Sequence, residues 1–515
     1  MELTEKMIEG KTKAKCKNEI PFSEFLKNIK EKMRLVYHQR TDVNLMALKR
    51  GMPPFVLREI MSCHPLSVGI PAEYGGRGVL MHENLALLEA ASYESLALSL
   101  TFGINSALFL QPVAKYARHE IKSPVFNRFL NEQNMGGLMI TEPGFGSDAL
   151  NMQTSFVETD ETYHIRGTKH WAGLTGWADY WLLTARERSI SGDLKRDIDF
   201  FVCDVASPGQ HIVVEEFYEN LGLYQIPYGR NSLDVQVPKI HRLEPHTTGV
   251  KMMLDLLHRS RMQFPGMGMG FIKRMLDEAV AHCKSRFVGG KSLFSYDQVQ
   301  QRLSRLQASF TVCSAMCANS SAKAGIENDL SSIGVEANSV KSVVTDLMQE
   351  AAQSLTQLVG AQAYKLNHIG GRGIVDSRPF QIFEGSNDML YSQISENLVR
   401  MMKKVKETNL YQFLKGYELT EKSAHSLKEL VNFNLDFQLP QRKLVELGQV
   451  IGRIVSMEMV INLGEKGFRS DLIHNGLVHL KQDIATLLRN FGIDNKTLVV
   501  DEYSEDSSWL QFAMA

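Results

Sequence analysis

Three segments carry side chains whose types and spacing exceed what packing needs. In Gln381-Ile382-Phe383-Glu384-Gly385-Ser386-Asn387-Asp388 a carboxylate stands in apolar company. Removal from water raises a carboxyl pKa and suits it to general-base work. The plainer alternative is an exposed Glu ahead of a helix capped by Ser386 or Asn387. A short upstream stretch, Gln357-Leu358-Val359-Gly360-Ala361, belongs with it. In Ile140-Thr141-Glu142-Pro143-Gly144-Phe145-Gly146-Ser147-Asp148 two glycines and a proline precede Ser147. Such a loop can offer N–H groups and hydroxyls to a phosphate or a ring edge, or simply close a hairpin. In Gly167-Thr168-Lys169-His170-Trp171-Ala172-Gly173, followed by Ala178-Asp179, an indole beside small residues can wall a flat-ring pocket or fill core. Gly266-Met267-Gly268-Met269-Gly270 has a dinucleotide look, but it follows a helical stretch and no βαβ unit surrounds it. Small residues for close helix packing account for it better.

These segments must be held by three kinds of element. From about Phe22 to Asn134 the pattern is helical: Leu85, Leu88, Ser92, Leu96 and Leu100 recur at three-to-four spacing. Pro53-Pro54 breaks the chain upstream, and Gly69-Ile70-Pro71-Ala72-Glu73-Tyr74-Gly75-Gly76-Arg77-Gly78 is a turn-rich connector. Short β-type runs follow at Gly137–Thr141, Thr162–Arg166, Tyr180–Ala185, Ile198–Val205, His211–Phe217 and Ser232–Val237, and they predict an antiparallel sheet or barrel. From Val250 the helical period returns. Val340, Val343, Val344, Leu347, Ala351, Leu355 and Leu358 form one apolar face, as in a helix bundle.

The chain of 515 residues is 44% apolar and 22% charged, enough for several domains of ~100–200 residues each. A net charge of -1 supplies no global field to gather polyanions, which argues against a nucleic-acid binder. The first 40 residues are locally basic, 10 Lys/Arg against 6 Asp/Glu. They contain no apolar core of signal-peptide length, and no run of ~18 apolar residues occurs, so a soluble, non-secreted protein without a transmembrane segment is expected. Six cysteines form no CxxC pair; Cys313 and Cys317, four apart, find no completing ligands and read as buried thiols, so no metal is expected. The 24 methionines read as core filler.

Taken in order, these segments resemble the acyl-CoA dehydrogenase family over roughly residues 20–405. The resemblance rests on GIPAEYGG, ITEPGFGSD, GTKHW, the run from Arg261 through Leu276-Asp277-Glu278-Ala279, Arg286, and the block from Gln357 to Glu384. It implies an α+β, mostly α fold: an N-terminal helical domain (21–135), a middle β-barrel (136–245) and a C-terminal four-helix bundle (246–407). A basic segment (1–20) precedes these, and a helical extension (408–515) follows. The family chemistry is FAD-dependent α,β-dehydrogenation of an acyl thioester carried by CoA or an acyl carrier protein. A base removes the α-proton while the β-hydrogen leaves as hydride to flavin N5. The family stabilises the thioester oxygen with a ribityl hydroxyl and the catalytic glutamate's N–H. Glu384 matches that glutamate, and Ser260 occupies the other place where some members carry the base.

By the same resemblance Ile140, Thr141, Ser147, Trp171 and Gly173 line the FAD, with Ser147 also near the substrate. Arg286, Gln298, Gln357 and Gly360 reach the FAD of a neighbouring subunit, which implies a homodimer or homotetramer. Ser386 and Asp388 follow the base, and Arg261 and Gly385 lie on the substrate side. The chain departs from the family at Gly173, where a Thr commonly gives a hydroxyl to flavin N5; either Thr175 replaces it or the backbone N–H serves alone. It departs again at Gly289, at Gln298 by a one-residue insertion, and at Val375.

Two rival readings use the same scaffold. An oxidase or monooxygenase would pass electrons to O2 rather than to an electron-transfer flavoprotein. A non-catalytic DNA-binding relative would need a basic C-terminal extension. Residues 401–515 instead hold 14 Lys/Arg and 15 Asp/Glu, so no nucleic-acid partner is expected. Leu427, Leu430, Val431 and Phe433, then Leu444, Val445, Leu447, Val450, Ile451 and Ile454, predict extension helices that cover the bundle, replace a subunit contact or meet a membrane surface. The expected location is cytoplasmic, or the mitochondrial matrix in a eukaryote.

Overall fold

The computed structural model describes residues 20–493 together with 498 and 499. Most of the basic N-terminal segment, and the acidic end with Asp501, Glu502, Glu505 and Asp506, therefore lie outside the described residues.

The N-terminal part holds α1 (Phe22–Arg34), α2 (Pro54–Met61), α3 (Met81–Glu94), α4 (Leu96–Asn105) and α5 (His119–Asn131). The apolar run from Leu85 to Leu100 is two helices rather than one. Ser95 sits at φ -150°, and its Oγ accepts the Leu98 N–H at 3.2 Å, which starts α4 afresh. After α4 the chain passes through a π-turn, Ser106–Leu110. Pro112 has no N–H to continue the regular ladder there. The stretch Leu96–Tyr116 is long and apolar enough to cross a membrane, but 94% of its most apolar window is buried inside the protein. It is the axial core helix of this part.

The middle part is a curled seven-stranded sheet: β1 (Gly136–Met139), β2 (Ser155–Glu158), β3 (Thr162–His170), β4 (Tyr180–Glu187), β5 (Asp199–Asp204), β6 (Gln210–Phe217) and β7 (Gly229–Pro238). Its path runs β1-β4-β2-β3-β7-β6, with β5 on the other edge of β4. The pairing is not wholly antiparallel as expected: β1 and β2 each run parallel to β4, one after the other along one edge. The short β2 escaped the pattern reading because four residues leave little alternation to see. β4 and β5 are buried on both faces, whereas β7 alternates buried with exposed.

The C-terminal bundle contains α6 (Gly249–Arg261), α7 (Phe264–Ser285), α8 (Asp297–Lys323), α9 (Gly334–Val359), α10 (Ile369–Ser377) and α11 (Asn387–Val405). The glycine run is packing, as expected. A Cβ at Gly266 would lie 2.7 Å from the Leu85 carbonyl, and one at Gly270 would lie 2.0 Å from the Glu89 carbonyl, both on α3. Gly268 faces Val344 of α9 in the same way. Cys313 is buried and Cys317 half-buried on α8. The extension adds α12 (Gln441–Glu465) and α13 (Ser470–Gly492). α12 lies across α8, α9 and α11, and α13 packs on α12 and α8, so the extension covers the bundle.

Gly270→Ala forces a methyl into the α3 backbone, and overpacking of this kind costs about 1–3 kcal/mol. Urea unfolding should show that loss despite the better helix propensity of alanine.

Candidate active site

Glu384 lies in the turn between α10 and α11 with φ +54°, followed by Gly385 at φ +94°. A non-glycine residue in the left-handed region costs of order 1–3 kcal/mol unless its surroundings hold it. Two buried cations do so. Arg261, the last residue of α6, donates from Nη2 (2.8 Å) and Nε (3.2 Å) to the Glu384 carbonyl. Lys341 of α9 donates from Nζ to the Gly385 carbonyl at 2.8 Å. Arg261 also donates to Asn338 Oδ1 at 2.7 Å, and Lys341 to Asn387 Oδ1 at 2.9 Å. Both peptide carbonyls of the strained pair are therefore fixed.

The Glu384 side chain is held on one oxygen only. Ser260 Oγ donates to Oε1 at 2.7 Å, while Oε2 is buried with no partner among the described residues. Phe383 adjoins it, in an aromatic group with Phe264 and Phe380 (centroids 4.9–6.2 Å apart). Burial raises the carboxyl pKa; the Ser260 hydrogen bond, then Arg261 and Lys341, pull the other way. Burial also lowers Arg261 to about 10 and Lys341 to about 7, with Glu384 opposing both shifts. The Glu384 N–H makes no hydrogen bond to another described residue.

A second group surrounds the end of β3. His170 N donates to the Thr141 carbonyl at 2.9 Å, tying the Ile140–Asp148 loop to β3. Beneath it, Glu142 Oε1 accepts Lys169 Nζ at 2.7 Å and the Thr154 N–H at 3.0 Å. Burial brings Lys169 down to about 8, with Glu142 opposing. Trp171 turns out of the strand at φ +56°, and its indole is 52% exposed, 4.4 Å from the Tyr218 ring. Ser147 is exposed on a loop where Gly144 and Gly146 meet open space. A Cβ at Gly173 would lie 2.7 Å from Ile104 Cδ1, the far end of a flexible side chain that would have to shift to admit it. Thr175 is not its replacement: its buried hydroxyl donates to the Ala172 carbonyl and accepts from Asn231.

The remaining expected residues do not join these two groups within one chain. Arg286 follows α7, Gln298 opens α8, and Gln357 and Gly360 close α9, all exposed. Alternating helix direction puts them at one end of the bundle. Gln357 is roughly 24 Å along α9 from Lys341, which touches the Glu384 turn. Ser386 is the N-cap of α11 without a side-chain cap bond, and Asp388 is exposed in its first turn. Lys341, Asn338 and Asn387 were not anticipated as site residues. The signal for Lys341 was present: it is the only cation in α9, Gly334–Val359, and it stands between Val340 and Val343 of the apolar face.

Comparison with known proteins gives three adjoining matches: the models of the acyl-CoA dehydrogenase N-terminal domain (residues 27–133), middle domain (137–235) and C-terminal domain (247–399). An acyl-CoA dehydrogenase of Bacillus subtilis (strain 168) is 23% identical over 67% of this chain and 90% of its own length. The very long-chain specific acyl-CoA dehydrogenase, mitochondrial, of Mus musculus is 24% identical over 62% of this chain, which spans only 49% of that protein. The crystal structure of an acyl-CoA dehydrogenase complexed with FAD from Bacillus anthracis shares the fold, with TM-score 0.76 and 16% identity over 93% of this chain and 90% of that one.

Lys169→Met strands the buried Glu142 carboxylate, and such a break costs about 3–5 kcal/mol. Thermal unfolding at neutral pH should show the loss. It should shrink as the pH falls past the ordinary carboxylate range, where the stranded group takes up a proton.

Proposed function

Since the chain belongs to the acyl-CoA dehydrogenase family of flavin oxidoreductases acting on CH–CH groups, we propose that it desaturates an acyl thioester with Glu384 as the base. The observation that carries this reading is the Glu384 carboxylate: one oxygen fixed by Ser260, the other buried and unpartnered. A carboxylate stripped of water on one oxygen is a stronger base and is aimed in one direction.

The residues present fit the family's cofactor, FAD. A half-exposed indole leaves a flat apolar face to be covered, and the loop at Gly144 and Gly146 is open around its backbone. Trp171 and Gly173 would hold the ring, and Ile140, Thr141 and Ser147 the adjoining edge, with Ser386 and Asp388 beyond the base. FAD, when bound, accepts the β-hydrogen as hydride. Oε2 of Glu384 takes the α-proton, while Ser260 keeps Oε1 from turning away. The unpaired Glu384 N–H serves as a donor to the thioester oxygen as negative charge develops there. Arg261 orients that N–H by holding the carbonyl of the same residue, which is a different task from contacting substrate. The Phe264, Phe380 and Phe383 rings exclude water from the carboxylate.

Arg286, Gln298, Gln357 and Gly360 act on the FAD of another copy of the chain. Their exposure and their distance from the Glu384 turn support that arrangement. Arg286→Ala should purify with reduced FAD content and a weaker oligomer, read by absorbance and gel filtration.

Anaerobic titration with acyl thioesters of CoA and of carrier protein tests the reaction and ranks substrates. Glu384→Gln should stay yellow and lose flavin bleaching by at least about a hundredfold; undiminished bleaching removes Glu384 from the chemistry. The base works deprotonated, so the reduction rate rises with pH through its raised pKa. Ser260→Ala deletes a bond that favours the carboxylate, and the acidic limb of that profile should move to higher pH.

A further inference from the structure

The family-model matches end at residue 399, yet the extension reaches the Glu384 turn through a continuous set of buried and half-buried polar groups. Arg453 of α12 points inward, its side chain 11% exposed. Its Nη1 donates to Tyr391 Oη at 3.0 Å and its Nη2 to Asp346 Oδ2 at 3.3 Å. Tyr391 in turn donates to the same Oδ2 at 2.7 Å. The other carboxylate oxygen, Oδ1, accepts Gln381 Nε2 and Asn387 Nδ2, each at 2.8 Å. Gln381 lies three residues before Glu384 and Asn387 three after, so one carboxylate pins both ends of the turn. Asn387 Oδ1 then receives Lys341 Nζ, which holds the Gly385 carbonyl.

The contact is close because α12 meets α11 backbone to backbone: a Cβ at Gly448 would lie 2.0 Å from the Tyr391 carbonyl. The Asp346 carboxylate, half-buried on the side of α9 that faces α11, has Arg453 as its only ion-pair partner among the described residues. A half-buried carboxylate deprived of its cation rearranges its hydrogen bonds, and a shared network moves with it.

We infer that Arg453, on the extension, is a positioning residue for Glu384: it fixes the Asp346 carboxylate that staples the turn at Gln381 and Asn387. The inference rests on the reading of Glu384 as the base, but the brace itself is measurable without any substrate. The extension is then part of the catalytic apparatus as well as a cover for the bundle.

Hydrogen–deuterium exchange on the full-length, FAD-loaded protein tests it. In Arg453→Met the amides of residues 381–388 should exchange at least about tenfold faster than in the native chain. Arg453→Lys, which keeps the charge, should restore most of the protection. Leu480→Ala serves as a control that loosens α13 without touching the network, because Leu480 is buried (3% exposed) in that helix. It should lower Tm while leaving these amides protected. Arg453→Gln carries the same test if the methionine variant does not accumulate. Native-like exchange in the charge-deleting variant, or equal acceleration in Leu480→Ala at equal loss of Tm, overturns the inference. In acyl-thioester assays the charge-deleting variant should lower kcat about tenfold with KM unchanged, the pattern of lost transition-state positioning. Faster exchange combined with full bleaching by Glu384→Gln would sink the base assignment and leave the brace standing.

Discussion

Two carbonyl groups and two buried cations set the terms for everything else in this molecule. A glutamate forced into the left-handed region, followed by a glycine that shares the turn, would relax if its peptides were free. Arg261 and Lys341 hold those peptides from opposite helices, and each accepts a burial cost that depresses its own pKa. The cations are tolerated inside because the carbonyls, Asn338 and Asn387 satisfy their donors. The bundle must therefore keep α6 and α9 in fixed relation to the start of α11, or the turn loses its shape.

The close helix contacts serve that requirement. Gly266 and Gly270 let α7 lie against α3, and Gly448 lets α12 lie against α11, so the helices around the turn have little freedom to slide. The sheet makes a separate contribution: it carries the Glu142–Lys169 pair that anchors the loop beside Trp171. Left-handed backbone thus occurs both at Glu384 and at Trp171, where the flat-ring face is built on a strand end with an open loop above it.

Much of this was visible in the order of residues. Helical, β and helical textures announce the three parts, and the glycine run reads as packing because no strand precedes it. Glu384 stands out because a carboxylate between Phe383 and Gly385 is unusual, and Ser260 is visible as the residue preceding Arg261. What the one-dimensional pattern hides is partnership across sequence distance. Nothing local says that Lys341 will meet the carbonyl of Gly385, or that Arg453 will meet Asp346. Nor does the pattern say that the fork of Arg261 will meet the Glu384 carbonyl and Asn338. The split at Ser95 and the parallel edge of β4 depend on tertiary packing that periodicity does not encode.

The crowding of Gly173 by Ile104 bears on substitution at either position. A hydroxyl-bearing residue at position 173 would need the terminal methyl of Ile104 to move aside, whereas trimming Ile104 to admit it would open a void beside this buried helix. The two positions are coupled: what a substitution at one costs depends on the side chain kept at the other.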